Sequence, residues 1–188
     1  MPVNVTGVDS TLKALRDFDP NLYKAMNKEI KAVMIPIRNN ARGYLPSNSE
    51  VLSNWHRQPT SENANYRPFP AYDQATAAAG IVYRQGSNKR QKNGWTLAYY
   101  VANKSAAGAI YETAGRLSEP ERPSESLNPY AREQFLKPLP ELYGKDKKRG
   151  RLIFRAWEKD YGKATIGVQR AIDNTVRQFN QSTFALAA

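Results

Sequence analysis

The chain has 188 residues, 28 Lys+Arg against 17 Asp+Glu, a formal net charge of +11, one histidine and no cysteine. That length suits one domain spanning residues 1–188. The composition excludes disulfides, thiolate nucleophiles, Cys-based zinc sites and multi-His metal centres. The excess of positive charge calls for a polyanion or for a protein surface of opposite field.

The opening Met1-Pro2-Val3-Asn4 has neither a basic nor an apolar leader region. No apolar run approaches the ~18 residues of a membrane span. These features predict a soluble protein made in a cytoplasm, with no membrane partner. Val3 to Val8 alternates apolar and polar residues, which predicts a short strand. Asp9 or Ser10 then caps a brief helix bearing Leu12, Leu15 and Phe18. Asp19-Pro20 is a helix start, with Asp at the N-cap and Pro in the first turn. Leu22, Met26, Ile30, Val33, Ile37, Ala41 and Tyr44 form one apolar stripe at helical spacing. Pro36 interrupts that pattern and predicts a kink, and Gly43 and Pro46 end the helix.

Residues 45–77 carry Pro46, Pro59, Pro68 and Pro70 and no clear period, so they predict a long loop excursion. Trp55, Tyr66, Phe69 and Tyr72 imply that it packs on something. Ala79 to Gln85 and Trp95 to Ala102 predict two strands joined by a basic tip at 86–94. Ser105 to Glu112 predicts a short helix closed by Gly115. Residues 116–129 read as a second loop, followed by a short helix from Tyr130 to Leu136. The basic stretch 145–155 reads as a loop or loop edge around Gly144 and Gly150. From Leu152, Phe154, Trp157, Tyr161, Ala164, Val168, Ile172, Val176 and Phe179 recur at helical spacing. They predict a second long amphipathic helix, weakened at Gly162 and Gly167. The tail from Phe184 reads as frayed or partner-bound. The fold class is α+β: two long amphipathic helices on a small, mostly antiparallel sheet, with Pro-rich excursions.

Charge is uneven along the chain. Residues 1–80 hold nine Lys/Arg and seven Asp/Glu, and residues 81–188 hold nineteen and ten. Arg84, Lys89, Arg90 and Lys92 form one basic stretch. Lys145, Lys147, Lys148, Arg149, Arg151 and Arg155, offset by Asp146, form the other. These stretches read either as solvated tips or as loops facing DNA or an acidic protein. The candidate DNA-, channel- or partner-facing residues are Arg84, Lys89, Arg90, Lys92, Lys145, Lys147, Lys148, Arg149 and Arg151.

Nothing in the sequence assembles a catalytic centre, a cofactor site or a metal site. His56 stands alone in a Pro-rich segment. Gly86-Ser87-Asn88-Lys89 lacks the second glycine of a phosphate loop, and no Gly-x-Ser-x-Gly is present. Glu119, Glu121 and Glu125 share one mixed-charge loop with Arg116 and Arg122, which reads as solvated surface. Glu112 follows an apolar helix face and precedes Gly115-Arg116. It reads as an exposed helical acid or an intersubunit ion pair.

The order of elements, together with Val5-Thr6-Gly7-Val8, Leu12-x-x-Leu15-Arg16 and Ala107-Gly108-Ala109-Ile110-Tyr111-Glu112-Thr113-Ala114-Gly115-Arg116, resembles the tail-completion or head–tail joining family of long-tailed bacteriophages. Members are also described as neck or minor tail proteins. The chain departs from the family's turn by spacing Glu112 and Gly115 three apart without a Gly-Thr pair. The resemblance implies a non-enzymatic virion protein, assembled in the host cytoplasm, that forms a ring, a hexamer, at the head–tail junction. It implies contacts with further copies of the chain, with a tail tube or tail terminator and with a head connector or stopper. Genomic DNA would pass through the ring without being read by sequence. Tail terminator, head-closure ring and small non-sequence-specific DNA-binding protein remain the alternatives.

Overall fold

Asp19-Pro20 starts α1, Pro20–Gly43. The Asp19 carboxylate accepts hydrogen bonds from the N–H groups of Asn21 and Leu22, both at 3.0 Å. Two of the helix's orphan donors are thereby satisfied, and Pro20 contributes no donor of its own. The helix continues through Pro36. Leu22, Met26, Ile30, Met34, Ile37 and Ala41 are buried along one side, as the apolar period requires.

The structure is a computed structural model, and it describes residues 15–17, 19–51, 55, 70–86, 99–116, 130–145 and 148–186. The expected strand at Val3–Val8, the cap at Asp9 or Ser10, most of the 86–94 tip and nearly all of the 116–129 loop lie outside the described residues. The further elements are α2 (Gln74–Gly80), β1 (Ile81–Gln85), β2 (Tyr99–Asn103), α3 (Ala106–Thr113), α4 (Ala131–Leu136), β3 (Tyr143–Lys145), β4 (Lys148–Gly150) and α5 (Ile153–Leu186). The fold is α+β: β1 pairs with β2, β3 pairs with β4, and α1 and α5 are the two long helices.

The chain divides into two units. One takes Met1–Ile37, Tyr83–Tyr100 and Asp160–Ala188; the other takes Arg38–Val82 and Val101–Lys159. The boundaries fall inside α1, β1, β2 and α5, so each of these elements contributes to both units.

In the first unit, α1 supplies large side chains and α5 supplies small ones. Ala164, Ala171 and Thr175 of α5 are buried. Gly167 lies against Val33, and a Cβ there would come within 2.7 Å of a Val33 methyl. The buried side of α5 is therefore not the predicted stripe of large residues. Ala164 belongs to both, but Tyr161 is 55 % exposed and Val176 is 46 % exposed. Small residues let the bulk of α1 come close, and that moves the larger α5 side chains off the contact. Strands β1 and β2 reach α1 through Asn27, whose side-chain oxygen accepts from Tyr99 Oη and from Gln85 Nε2. Gln85 Nε2 also donates to Tyr23 Oη at 2.7 Å. Burial, reinforced by Tyr23 and Tyr83, raises the Tyr99 phenol well above its ordinary range.

The second unit is built on an aromatic cluster. Trp55 packs at 5.2 Å from Tyr72 and 5.3 Å from Phe135, and Tyr72 lies 6.4 Å from Tyr111. Trp55 Nε1 donates to the Pro70 carbonyl and Tyr72 Oη to the Pro46 carbonyl, both at 2.8 Å. Each polar handle is thus satisfied while the ring is buried. Arg42 ties the end of α1 to the start of β1 by donating Nε and Nη2 to the Ile81 carbonyl.

The expected strand from Ala79 begins two residues later. Residues 74–80 form α2 because Asp73 caps it, accepting from Thr76 N–H at 2.7 Å, and because its alanines favour helix. Gly80 ends α2 against Ser105, where a Cβ would meet the Ser105 Cβ at 2.6 Å. The stretch read as a basic loop contains β4. Its antiparallel register with β3 is Tyr143↔Gly150, Gly144↔Arg149 and Lys145↔Lys148. Gly144 adopts φ +106°, a conformation that favours glycine. At the C-terminal end, helix continues through Leu186.

Candidate functional site

The segment that carries the family resemblance is α3 and the turn after it. Ser105 caps α3 by accepting from the Gly108 N–H at 3.2 Å. Ala107, Gly108, Tyr111 and Glu112 are buried. Gly115 then takes φ +78° and turns the chain, and a Cβ there would lie 3.1 Å from Leu136 Cδ2. A helix closed by a left-handed glycine is what the spacing predicts.

Glu112 is neither exposed nor set on a surface; only 4 % of it is accessible. Its carboxylate accepts from three backbone N–H groups at the start of α5: Oε2 from Leu152 and Ile153, and Oε1 from Phe154. An α-helix begins with N–H groups that lack partners inside the helix, and its N-terminus favours negative charge. Arg151-Leu152, immediately before α5, provides no short polar side chain to serve as a cap. Glu112 supplies the cap from forty residues earlier in the chain. Gly150 makes the approach possible, because a Cβ at that position would come within 2.3 Å of Glu112 Oε1. Burial raises the Glu112 pKa above its ordinary value, opposed by the three backbone hydrogen bonds and by the Arg116 cation.

Arg151 does the converse for α3. Its Nη1 donates to the carbonyls of Tyr111 at 3.1 Å and Ala114 at 2.7 Å, and its Nε donates to Pro140 O. The Arg151 N–H donates to the Glu112 carbonyl at 3.3 Å. Ala114 N–H serves the Ile110 carbonyl and Arg116 N–H the Thr113 carbonyl. Every carbonyl from Ile110 to Ala114 therefore has a donor. The guanidinium fork suits these diverging acceptors, and a cation is favoured at a helix C-terminus. With 5 % exposure, Arg151 is not a partner-facing cation; its charge and donors are taken up inside the fold. Burial lowers its pKa, opposed by Tyr111 and Glu112.

Comparisons with protein-family models, curated proteins and solved structures return no match to this chain.

Two more arginines complete the arrangement. Arg116 donates Nε and Nη2 to the Arg149 carbonyl and stacks 5.0 Å above the Phe154 ring. Arg155 lies between Tyr44 at 4.0 Å and Tyr143 at 4.7 Å. Such cation–π contacts contribute about 0.5–2 kcal/mol each, more where water is excluded. One acid and two arginines, Glu112, Arg116 and Arg151, thus fasten α3, β4 and the start of α5 to one another, and Arg155 ties α5 to β3 and to Tyr44.

The other predicted basic residues fall into three groups. Arg84 on β1 and Lys145 on β3 are exposed, and Arg149 is half-buried. The backbone of Lys148 belongs to β4. Lys89, Arg90, Lys92 and Lys147 lie outside the described residues, as does His56. Among the described residues, no group of three or more His, Asp or Glu side chains could hold a metal ion. No described helix is long and apolar enough to cross a membrane.

The resemblance drew attention to Glu112, but the sequence reading missed what it does. One signal was available. A 34-residue helix opens at Ile153 with no capping side chain just before it, so its first donors must be satisfied from elsewhere.

Proposed function

We propose that the chain is a structural virion protein that forms a ring at the head–tail junction of a long-tailed phage. It completes the tail and joins it to the head connector, with DNA passing through a hexameric ring. One observation supports this reading. The chemistry-bearing residues of the resembling segment, Glu112 and Arg116, are engaged in holding backbone. A segment spent on fastening two helices and a hairpin suits a part that must keep its shape within an assembly. Among the described residues, Arg84 and Lys145 are exposed cations that could face DNA or an acidic neighbouring ring.

The test is assembly. The full chain is examined by native mass spectrometry, alone and with the tail-tube protein of the phage that encodes it, and is sought in purified particles. A closed oligomer, formed alone or on meeting the tube, supports the reading. A chain that stays monomeric in both conditions and is missing from particles overturns it. Tail terminator and head-closure protein are the nearest alternatives, and position within the particle separates them from tail completion.

A further inference from the structure

The first eighty residues are nearly balanced in charge, but α1 is not. It carries Lys24, Lys28, Lys31, Arg38 and Arg42 against a single acid, Glu29. Two of these cations are already engaged. Arg38 donates to Asn39 Oδ1, and Arg42 donates to the Ile81 carbonyl.

Lys24, Lys28 and Lys31 are exposed. They are four and three residues apart, so they share one face of the helix, away from buried Leu22, Met26 and Ile30. Glu29 does not interleave with them. Its neighbours at three and four residues are Ala25, Met26, Ala32 and Val33. A solvated helix face ordinarily mixes signs, because opposite charges at this spacing stabilise it and like charges destabilise it. In α5 the signs do alternate, with Asp173 between Arg170 and Arg177. On α1 the like-charge pairs Lys24–Lys28 and Lys28–Lys31 stand unrelieved by any acid at helical spacing.

We infer that the Lys24–Lys28–Lys31 face of α1 is a docking surface for the phosphate backbone of duplex DNA. The dimensions agree. Seven residues of helix rise about 10 Å, and that length of duplex axis carries about three phosphates of one strand. Lysine acts as a point charge on a flexible stem, so the row would grip phosphates without reading bases. The inference stands on this helix alone and does not depend on the neck reading. Loss of DNA binding and loss of ring assembly are separate results.

The test is fluorescence anisotropy of two labelled 30-base-pair duplexes of unrelated sequence, titrated with the full chain across a range of NaCl. Both duplexes are expected to bind alike and to weaken with salt. K24A/K28A/K31A should weaken binding about tenfold or more at low salt and flatten the log–log salt slope by about 2–3. K24R/K28R/K31R should keep both. Alanine favours exposed helix, and melting curves establish that each variant folds; K24Q/K28Q/K31Q serves should the alanine variant melt early. The inference is overturned if the wild-type chain fails to bind duplex at low salt, or if a folded Ala or Gln variant keeps the full slope. It is also overturned if poly-glutamate binds through these lysines and duplex does not, which would assign the row to an acidic protein.

Discussion

Glu112 and Arg151 each close the other's helix. The Glu112 carboxylate, at the end of α3, accepts the first N–H groups of α5. Arg151, just before α5, donates to the last carbonyls of α3. Two helix ends that would otherwise bury unpaired backbone groups satisfy each other, and the two helix dipoles meet charges of the favourable sign.

Removing either side chain should be costly. E112A leaves three backbone donors without an acceptor and removes an acid whose charge favours the Arg151 cation, for an expected loss of about 2–4 kcal/mol. E112Q keeps one acceptor oxygen and should lose about half as much. R151A should cost about 2–4 kcal/mol, with little recovery in R151K, whose single ammonium cannot span three carbonyls. In a double-mutant cycle by urea unfolding, E112A and R151A should be non-additive by more than about 0.5 kcal/mol. Strict additivity would contradict the reciprocal arrangement.

The close approach at Gly150 gives a second prediction. G150A places a methyl against Glu112 Oε1 and Cδ and should cost about 1–3 kcal/mol. Part of that cost should disappear in the E112A background, because the group it strikes is gone. Phe154 Cδ2, at 2.8 Å from the same Cβ, keeps the relief incomplete. An unchanged cost of G150A in that background would locate the strain elsewhere.

These relationships also show what could be read from the sequence. Asp19-Pro20, the apolar period of α1, and Ser105 with Gly115 are local signals, and the elements they mark are present. α2 escaped because a Pro-rich stretch precedes it and its Ala-Gly end runs into a β-branched strand. Three-residue strands such as β3 and β4 are too short to show a period. The roles of Glu112 and Arg151 are non-local: their contacts join residues about forty positions apart, and no spacing rule reaches that far. The basic stretch 145–155 appeared uniform as composition, yet it divides into exposed Lys145, buried Arg151 and the aromatic-stacked Arg155. Averaging charge over the first eighty residues likewise concealed the lysine face of α1.

The packing of α1 on α5 depends on a missing side chain. G167L would drive a branched chain into Val33, whose methyl lies 2.7 Å from the Cβ position. The expected loss is about 1–3 kcal/mol. V33A should restore part of it by opening space. If G167L is neutral in urea unfolding, the two helices are not held at this point.

The hydrogen-bonded acids respond to pH in opposite senses. Burial raises the Glu112 pKa above its ordinary 4.5. Between the ordinary and the raised value the folded chain holds a proton that the unfolded chain has lost. The stability contributed by this group therefore rises as pH falls through the raised value, and levels off below 4.5. Asp73, the exposed cap of α2, and Glu50, exposed in the turn at 47–50 where it accepts from Ser47, have lowered pKa values, Asp73 through Thr76 and Glu50 through Ser47. Their contributions are present above the ordinary carboxylate range and fade as pH falls through the lowered values. Urea unfolding from pH 7 downward should show wild type gaining on E112Q and losing its advantage over E50Q/D73N. The reverse ordering would refute the assignment of burial as the dominant influence on Glu112.

The claim that the resembling segment is a fastening between two helices can be tested most directly by amide hydrogen exchange. In the wild-type chain the amides of Leu152, Ile153 and Phe154 should be strongly protected. In folded E112A they should exchange at least about tenfold faster, corresponding to a loss of about 1.4 kcal/mol or more, while Ile30 in the middle of α1 keeps its protection. Unchanged protection at residues 152–154 in that variant would contradict the account, because those donors would then be satisfied without Glu112.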